Sequence, residues 1–197
     1  MGTEALAIYE QLDHISGQAN SLQQLASLFY DDYQLDAAEE AASRTIDLSA
    51  EGNQFPVCES HRILGKVYRS KGETEKAIDH FETADRIGSS FDWHDRLFWI
   101  QYDLVVLFID SGRFDDAHRS IERAKSYSIN DPYQLGRAIN QQAWVWYRQH
   151  RFKEAKSEAL RAIDVYERLG ATRDLESCRG LLQWIEEGMK KMDTSGG

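Results

Sequence analysis

Four times along the chain an aromatic residue stands nine positions before an alanine: Phe29 and Ala38, Tyr68 and Ala77, Phe108 and Ala117, Trp146 and Ala155. Successive alanines are 39, 40 and 38 residues apart. A near-constant period of this length, with helical apolar patterning inside each repeat, specifies stacked helix pairs in which no pair buries its apolar face without its neighbours. The expected fold class is therefore all-α, a solenoid of antiparallel helix pairs with about ten helices. Such a pattern constrains architecture far more tightly than it constrains ligand, and it points to a binding scaffold.

Each repeat gives two amphipathic segments joined by a short polar turn. The second shows this best. Val57 to Ser70 aligns Leu64, Val67 and Tyr68 on one stripe, Lys71-Gly72-Glu73 breaks the helix, and Thr74 to Ile87 resumes with Ala77, Ile78, Phe81 and Ala84. Gly72 suits a helix C-terminus. The other turns fall at Asp31-Asp32-Tyr33, Ser111-Gly112-Arg113 and Gln149-His150-Arg151. The period extends half a repeat at each end, because Tyr9 and Tyr166 lie 157 residues apart in matching contexts. These signals predict one domain over residues 1–192: a half unit at 3–16, units at about 17–53, 54–91, 92–131 and 132–171, and a final helix at 173–191. Residues 193–197 are expected to form a flexible tail. Beginning on a second helix and ending on a first suggests a capping helix or a piece of a longer protein.

Composition narrows the function classes. The formal charge of −10 argues against general nucleic-acid binding, since phosphate-binding domains are usually basic. The most apolar stretch, Leu97 to Ile109, has 11 apolar residues in 13. It falls well short of the roughly 20 residues that cross a bilayer, so no membrane partner is expected. No secretory leader or myristoylation signal is visible, which makes a cytoplasmic location the expectation. Cys58 and Cys178 have neither disulfide-framework nor zinc spacing and read as buried thiols. The six histidines form no metal-ligand spacing, and no Gly-rich phosphate loop is present. Trp93-His94-Asp95 lies in a turn and does not by itself bring a nucleophile and base together. No enzyme activity, metal or cofactor is expected.

The run His61-x2-Leu64-Gly65-x2-Tyr68-x8-Ala77-x3-Phe81-x2-Ala84 resembles the tetratricopeptide repeat (TPR). The resemblance covers almost the whole chain, strongly in the second unit and loosely elsewhere. The glycine position holds Ala26, Val105 and Ala143 in the other units, and no unit ends in the usual proline. The long period is similar to that of kinesin-light-chain-like arrays and of repeat regions attached to NLR-type and regulatory ATPases. The resemblance implies a right-handed α-solenoid in which first helices line a concave surface while the Leu, aromatic and Ala positions lock helix to helix.

Registering the units on their alanines places a basic strip, Arg62, Lys66 and Arg69, on that surface from the second unit. Trp99, Tyr102, Val106 and Ile109 come from the third, and Arg137, Asn140, Trp144, Tyr147 and Arg148 from the fourth. The segment 97–109 is apolar nearly all round and has to be covered on more than its core face. Superhelical packing would bury that stripe; a partner would make it a pocket. The chaperone-tail clamp known in this class is matched only partly, by Arg62 and Lys66, and Asp103 stands where a donor is required.

The leading functional reading is a non-catalytic scaffold that binds a protein or peptide of acidic and hydrophobic character in its groove. Alternatives are a regulatory, effector-sensing fragment of a larger signalling ATPase or transcription regulator, and a self-associating array. The last rests on apolar residues in the terminal helices, Leu181, Leu182, Trp184 and Ile185 at one end and Leu6, Ile8, Tyr9 and Leu12 at the other. Homo-oligomerisation by end stacking would cover them.

Overall fold

The structure, a computed structural model, describes residues 2–49 and 52–195, with side chains over 3–48 and 52–192. Ten helices, and no strands, occur among the described residues. They group into two compact units. The first, residues 1–93, holds α1 (Gly2–Gln11), α2 (Ile15–Asp31), α3 (Leu35–Ser49), α4 (Gln54–Ser70) and α5 (Thr74–Ser90). The second, residues 94–197, holds α6 (His94–Asp110), α7 (Phe114–Tyr127), α8 (Pro132–Arg148), α9 (Phe152–Leu169) and α10 (Thr172–Ser195). In each unit consecutive helices pack on one another, with further contacts between alternate first helices, α2 with α4 and α6 with α8.

The nine-residue spacing has a geometric cause. The carbonyl of each aromatic anchor accepts a hydrogen bond from the backbone N–H five residues on: Gln34 to Phe29, Glu73 to Tyr68, Arg113 to Phe108 and Arg151 to Trp146, at 2.8–2.9 Å. The residue just before that donor has positive φ in all four turns: Tyr33 (61°), Gly72 (78°), Gly112 (73°) and His150 (58°). This is the Schellman closure of a helix C-terminus. The carbonyl of the same donor residue then accepts the N–H of the anchor alanine, so the next helix begins at once. Ala38, Ala77, Ala117 and Ala155 are all fully buried, at 0% exposure. Aromatic and alanine are thus the two ends of one turn. Tyr33 and His150 hold a conformation that costs a non-glycine residue about 1 kcal/mol.

The longer connections supply N-caps. Asp131 accepts from the backbone N–H groups of Tyr133 and Gln134, with Pro132 opening α8; Asn53 accepts from Phe55. Close approach of paired helices needs a small residue at Gly65, where a Cβ would fall 2.7 Å from the ring of the fully buried Phe81.

Several boundaries differ from expectation. The first helix ends at Gln11, because Asp13 turns to φ 46° and His14 caps α2 through Nδ1. The tail expected from 193 begins inside α10, which continues to Ser195, and residues 196 and 197 lie outside the described residues. At the α10 end, Leu181 and Ile185 are fully buried against Ala143, Ala155 and Ala159 of their own unit. The apolar surface expected there therefore shrinks largely to Trp184, which is 49% exposed. At the other end Ile8 and Leu12 remain exposed, while Leu6 and Tyr9 are half-buried.

Candidate functional site

In the first unit, the basic strip lies along α4. Arg62 is half-buried and meets Glu59 one turn earlier at 3.7 Å; Lys66 sits 4.1 Å from the centre of the Tyr30 ring; Arg69 is partly exposed. Beside them α3, α4 and α5 share a polar cluster. Tyr68 donates to Glu39 at 2.7 Å, and Lys71 donates to both Asp36 and Glu39 at 2.6 Å. The Lys71 and Tyr68 hydrogen bonds hold the Glu39 carboxyl below its ordinary range, and the bond to Glu39 pushes the Tyr68 hydroxyl up to about 12. The Tyr68 ring also stacks on His80, and His80 and His61 share a hydrogen bond between their Nδ1 atoms at 3.0 Å. One ring must donate and the other accept, so the pair does not tolerate two Nδ1 protons. Burial, with help from His80 and Arg86, lowers His61 to about 4. Sequence reading did not find this pair; the two residues lie 19 apart on different helices.

The second unit gathers most of the predicted aromatic residues. The strip on α6 divides. Trp99, Tyr102 and Val106 keep part of their surface, whereas Ile109 is only 7% exposed and belongs to packing rather than to a binding face. Ten residues of α6 are buried, which explains its apolar character all round. Trp99 stands edge-on to Phe98 and to Tyr102, at centroid distances of 5.2 and 5.7 Å. Arg137 of α8 lies over this ledge, 5.3 Å from the Trp99 ring and 5.8 Å from that of Tyr102. Its guanidinium also donates to the Tyr133 hydroxyl at 2.9 Å and pairs with Asp174 of α10 at 3.2 Å, and Tyr133 donates to Asp174 at 2.8 Å. Burial opposes the Arg137 charge, but the Tyr133 hydrogen bond and the nearby Tyr102, Tyr133 and Asp174 groups outweigh it and raise its pKa. Arginine suits this place because its planar fork can stack and pair at once.

Farther along α8, Trp144 stands edge-on to Tyr147 and to Trp184 of α10, at 5.8 and 5.6 Å. Tyr147, Arg148, Phe152, Trp184 and Met192 surround a largely apolar cleft of about 560 Å³. Asn140, Tyr133, Arg137 and Asp174 line a smaller polar recess of about 320 Å³. Tyr133 and Asp174, which fix Arg137, were absent from the sequence-derived set. The Tyr133–Arg137 spacing of one helical turn was a usable signal; the pairing with Asp174, 37 positions beyond Arg137, was not.

Neither Cys58 nor Cys178 forms a disulfide, and both are buried. Among the described residues, no group of three His, Cys, Asp or Glu side chains is placed to hold a metal, and no helix is long and apolar enough to cross a membrane.

Comparison with solved structures places this arrangement. The chain is similar to BtubC (BKLC) from P. vanneervenii, at TM-score 0.71 and 15% identity, covering 96% of this chain and 89% of that one. The fold is TPR-like. The same TPR-like fold relates it to a Rap protein solved in complex with Competence and Sporulation Factor, at TM-score 0.64 and 14% identity, covering 96% of this chain and 58% of that protein. A kinesin light chain-like protein of Podospora anserina with nearly identical TPR-like repeats matches at TM-score 0.63 and 15% identity, over 91% of this chain and 98% of that one. No family model and no curated protein matches the chain. The likeness supports a helical-repeat scaffold.

Proposed function

We propose that this protein is a non-catalytic interaction module that holds a peptide or partner segment of hydrophobic and acidic character on the first-helix face of its TPR-like repeats. The observation that carries the proposal is the ledge of the second unit. Trp99 and Tyr102 are stacked edge-on, kept partly open, and overlaid by an arginine that is itself fixed by Tyr133 and Asp174. Prepositioned aromatic and arginine side chains are what interfaces use as anchors, because little conformational freedom remains to be lost on binding. In the first unit, Arg62, Lys66 and Arg69 supply positive charge suited to acidic groups.

The test is capture of partners from the native source by wild type and by a Trp99→Ala/Tyr102→Ala variant side by side. Binding should be lost while helicity and melting stay close to wild type. If helicity and melting collapse instead, the ledge is core, and the proposal fails. Arg62→Glu with Arg69→Glu should weaken an acidic partner and barely affect an apolar one.

A regulatory reading, in which the repeats sense an effector, is favoured by one observation: the Rap protein of the same fold holds a bound factor. It is distinguished by what is captured, a small diffusible effector rather than a protein chain.

A further inference from the structure

The second unit has two recesses of opposite character on one side of α8. The polar one presents donors. Arg137 Nε is buried and has no hydrogen-bond partner among the described residues. The Cys178 thiol donates to Asn140 Oδ1 at 3.2 Å, which sets the amide so that its Nδ2 remains to donate elsewhere. Burial, followed by the Asp174 charge, pushes the Cys178 thiol up to about 12, so it stays a donor at neutral pH. Arg173 is exposed at the rim. Two guanidinium groups set against the single carboxylate of Asp174 leave one positive charge, which matches one carboxylate rather than a dianion.

The apolar recess is floored by Phe152. Its ring nests so close to the α10 backbone that a Cβ on Gly188 would fall 2.6 Å from it. Trp184 and Met192 form the walls at 49% and 58% exposure, and Arg148 and Lys191 stand on the rim against one acid, Glu187. Arg137 and Tyr147 mark the two recesses on α8 and are ten positions apart, about 15 Å at the helical rise. An extended chain advances about 3.4 Å per residue, so roughly four residues bridge them. Trp144 lies between and offers a half-buried ring to the bridging segment.

We propose that the second unit reads an extended polypeptide segment carrying an acidic side chain and a large aliphatic or aromatic side chain about four residues apart. The acid sits against the partly exposed Arg137 guanidinium and Asn140 Nδ2, and the apolar side chain sits among Phe152, Trp184 and Met192. This rests on the interaction-module reading and adds to it a ligand pattern with a measurable spacing.

The test uses synthetic peptides blocked at both ends, each with one Glu and one Leu in a Ser/Gly background, placed two, four or eight positions apart in either order. Binding is followed by nuclear magnetic resonance at the Arg137 Nε–H and the Trp184 indole N–H. The spacing of four should bind about 10-fold tighter than the others and shift both reporters together, and Glu→Gln in the peptide should cost a similar factor. Asn140→Asp keeps the acceptor for the Cys178 thiol but removes the donor, and should abolish the preference for Glu. The exposed Arg173→Ala, which leaves packing alone, should weaken the Glu peptide about 3-fold and the Gln peptide not at all. Affinity independent of spacing, equal binding of Glu and Gln peptides, or no saturable shift at either reporter overturns the inference. A Leu-only peptide with a free C-terminus that binds as well as the internal Glu peptide overturns the side-chain assignment. The Trp99/Tyr102 capture experiment decides the broader reading independently.

Discussion

Two glycines in helices of this protein call for opposite outcomes from the same substitution. Gly65 sits in α4, where a Cβ would stand 2.7, 2.7 and 2.8 Å from three atoms of the Phe81 ring. Phe81 is fully buried, so the ring has no solvent to swing into and must retreat by about 0.7 Å against its own neighbours to regain ordinary contact. Overpacking of this kind costs about 1–3 kcal/mol. Alanine returns about 1 kcal/mol of helix propensity, which leaves Gly65→Ala between neutral and about 2 kcal/mol destabilising. Gly180 in α10 has nothing within 4 Å of the same Cβ. There only propensity acts, and Gly180→Ala should stabilise by about 1 kcal/mol. The propensity contribution cancels in the difference, so the two variants should differ by about 1–3 kcal/mol, the steric cost of the α4–α5 approach alone. Because the two glycines lie in different compact units, a single global melt would blur the comparison. Native-state hydrogen exchange at amides of α4 and α5, and of α9 and α10, reads each unit separately. Equal shifts in both variants, or a stabilised α4–α5 pair in Gly65→Ala, would refute the reasoning.

The histidine pair predicts a pH dependence in the first unit. His61 and His80 are both held below the ordinary histidine value chiefly by burial, His61 at about 4. The unfolded chain therefore binds protons first, and the stability that the neutral pair contributes is present above about pH 6.5 and is lost as pH falls from there toward 4. Stability from urea unfolding of His61→Gln, measured across that window, should depend less steeply on pH than that of wild type, and an unchanged pH dependence would count against a His61 held neutral by burial. The Schellman turns predict a second pair of effects. Gly72→Ala, at φ 78° with open space around it, should destabilise by about 1 kcal/mol through backbone strain alone, while Tyr33→Gly, at φ 61°, should be neutral to about 1 kcal/mol stabilising; chemical denaturation checks both.

The candidate site was legible only in part. Trp99, Tyr102, Arg137, Asn140, Trp144 and Tyr147 could be placed together because they recur at helical intervals on first helices, and one-dimensional periodicity reports which face a residue occupies. Ile109 fails the same rule: it has the register of a surface position but is covered, and coverage depends on neighbours that periodicity does not describe. Asp174, Cys178 and Trp184 enter the site from α10, 37 to 41 residues after the side chains they contact or orient. Nothing in the spacing within a helix carries that information.

By itself the sequence determined the repeat, its turns and its helix count, because each depends on interactions within about ten residues: a carbonyl closed by the fifth N–H onward, an alanine small enough to be fully buried, a stripe every 3.6 residues. Tertiary structure alone decided which few side chains of an all-round apolar helix keep part of their surface, that Leu181 and Ile185 are sealed, and that Arg137 is pinned by Tyr133 and Asp174 while its Nε is buried without a hydrogen-bond partner among the described residues. Those outcomes depend on side-chain volumes and hydrogen-bond partners meeting across helices, where distance along the chain no longer measures distance in space.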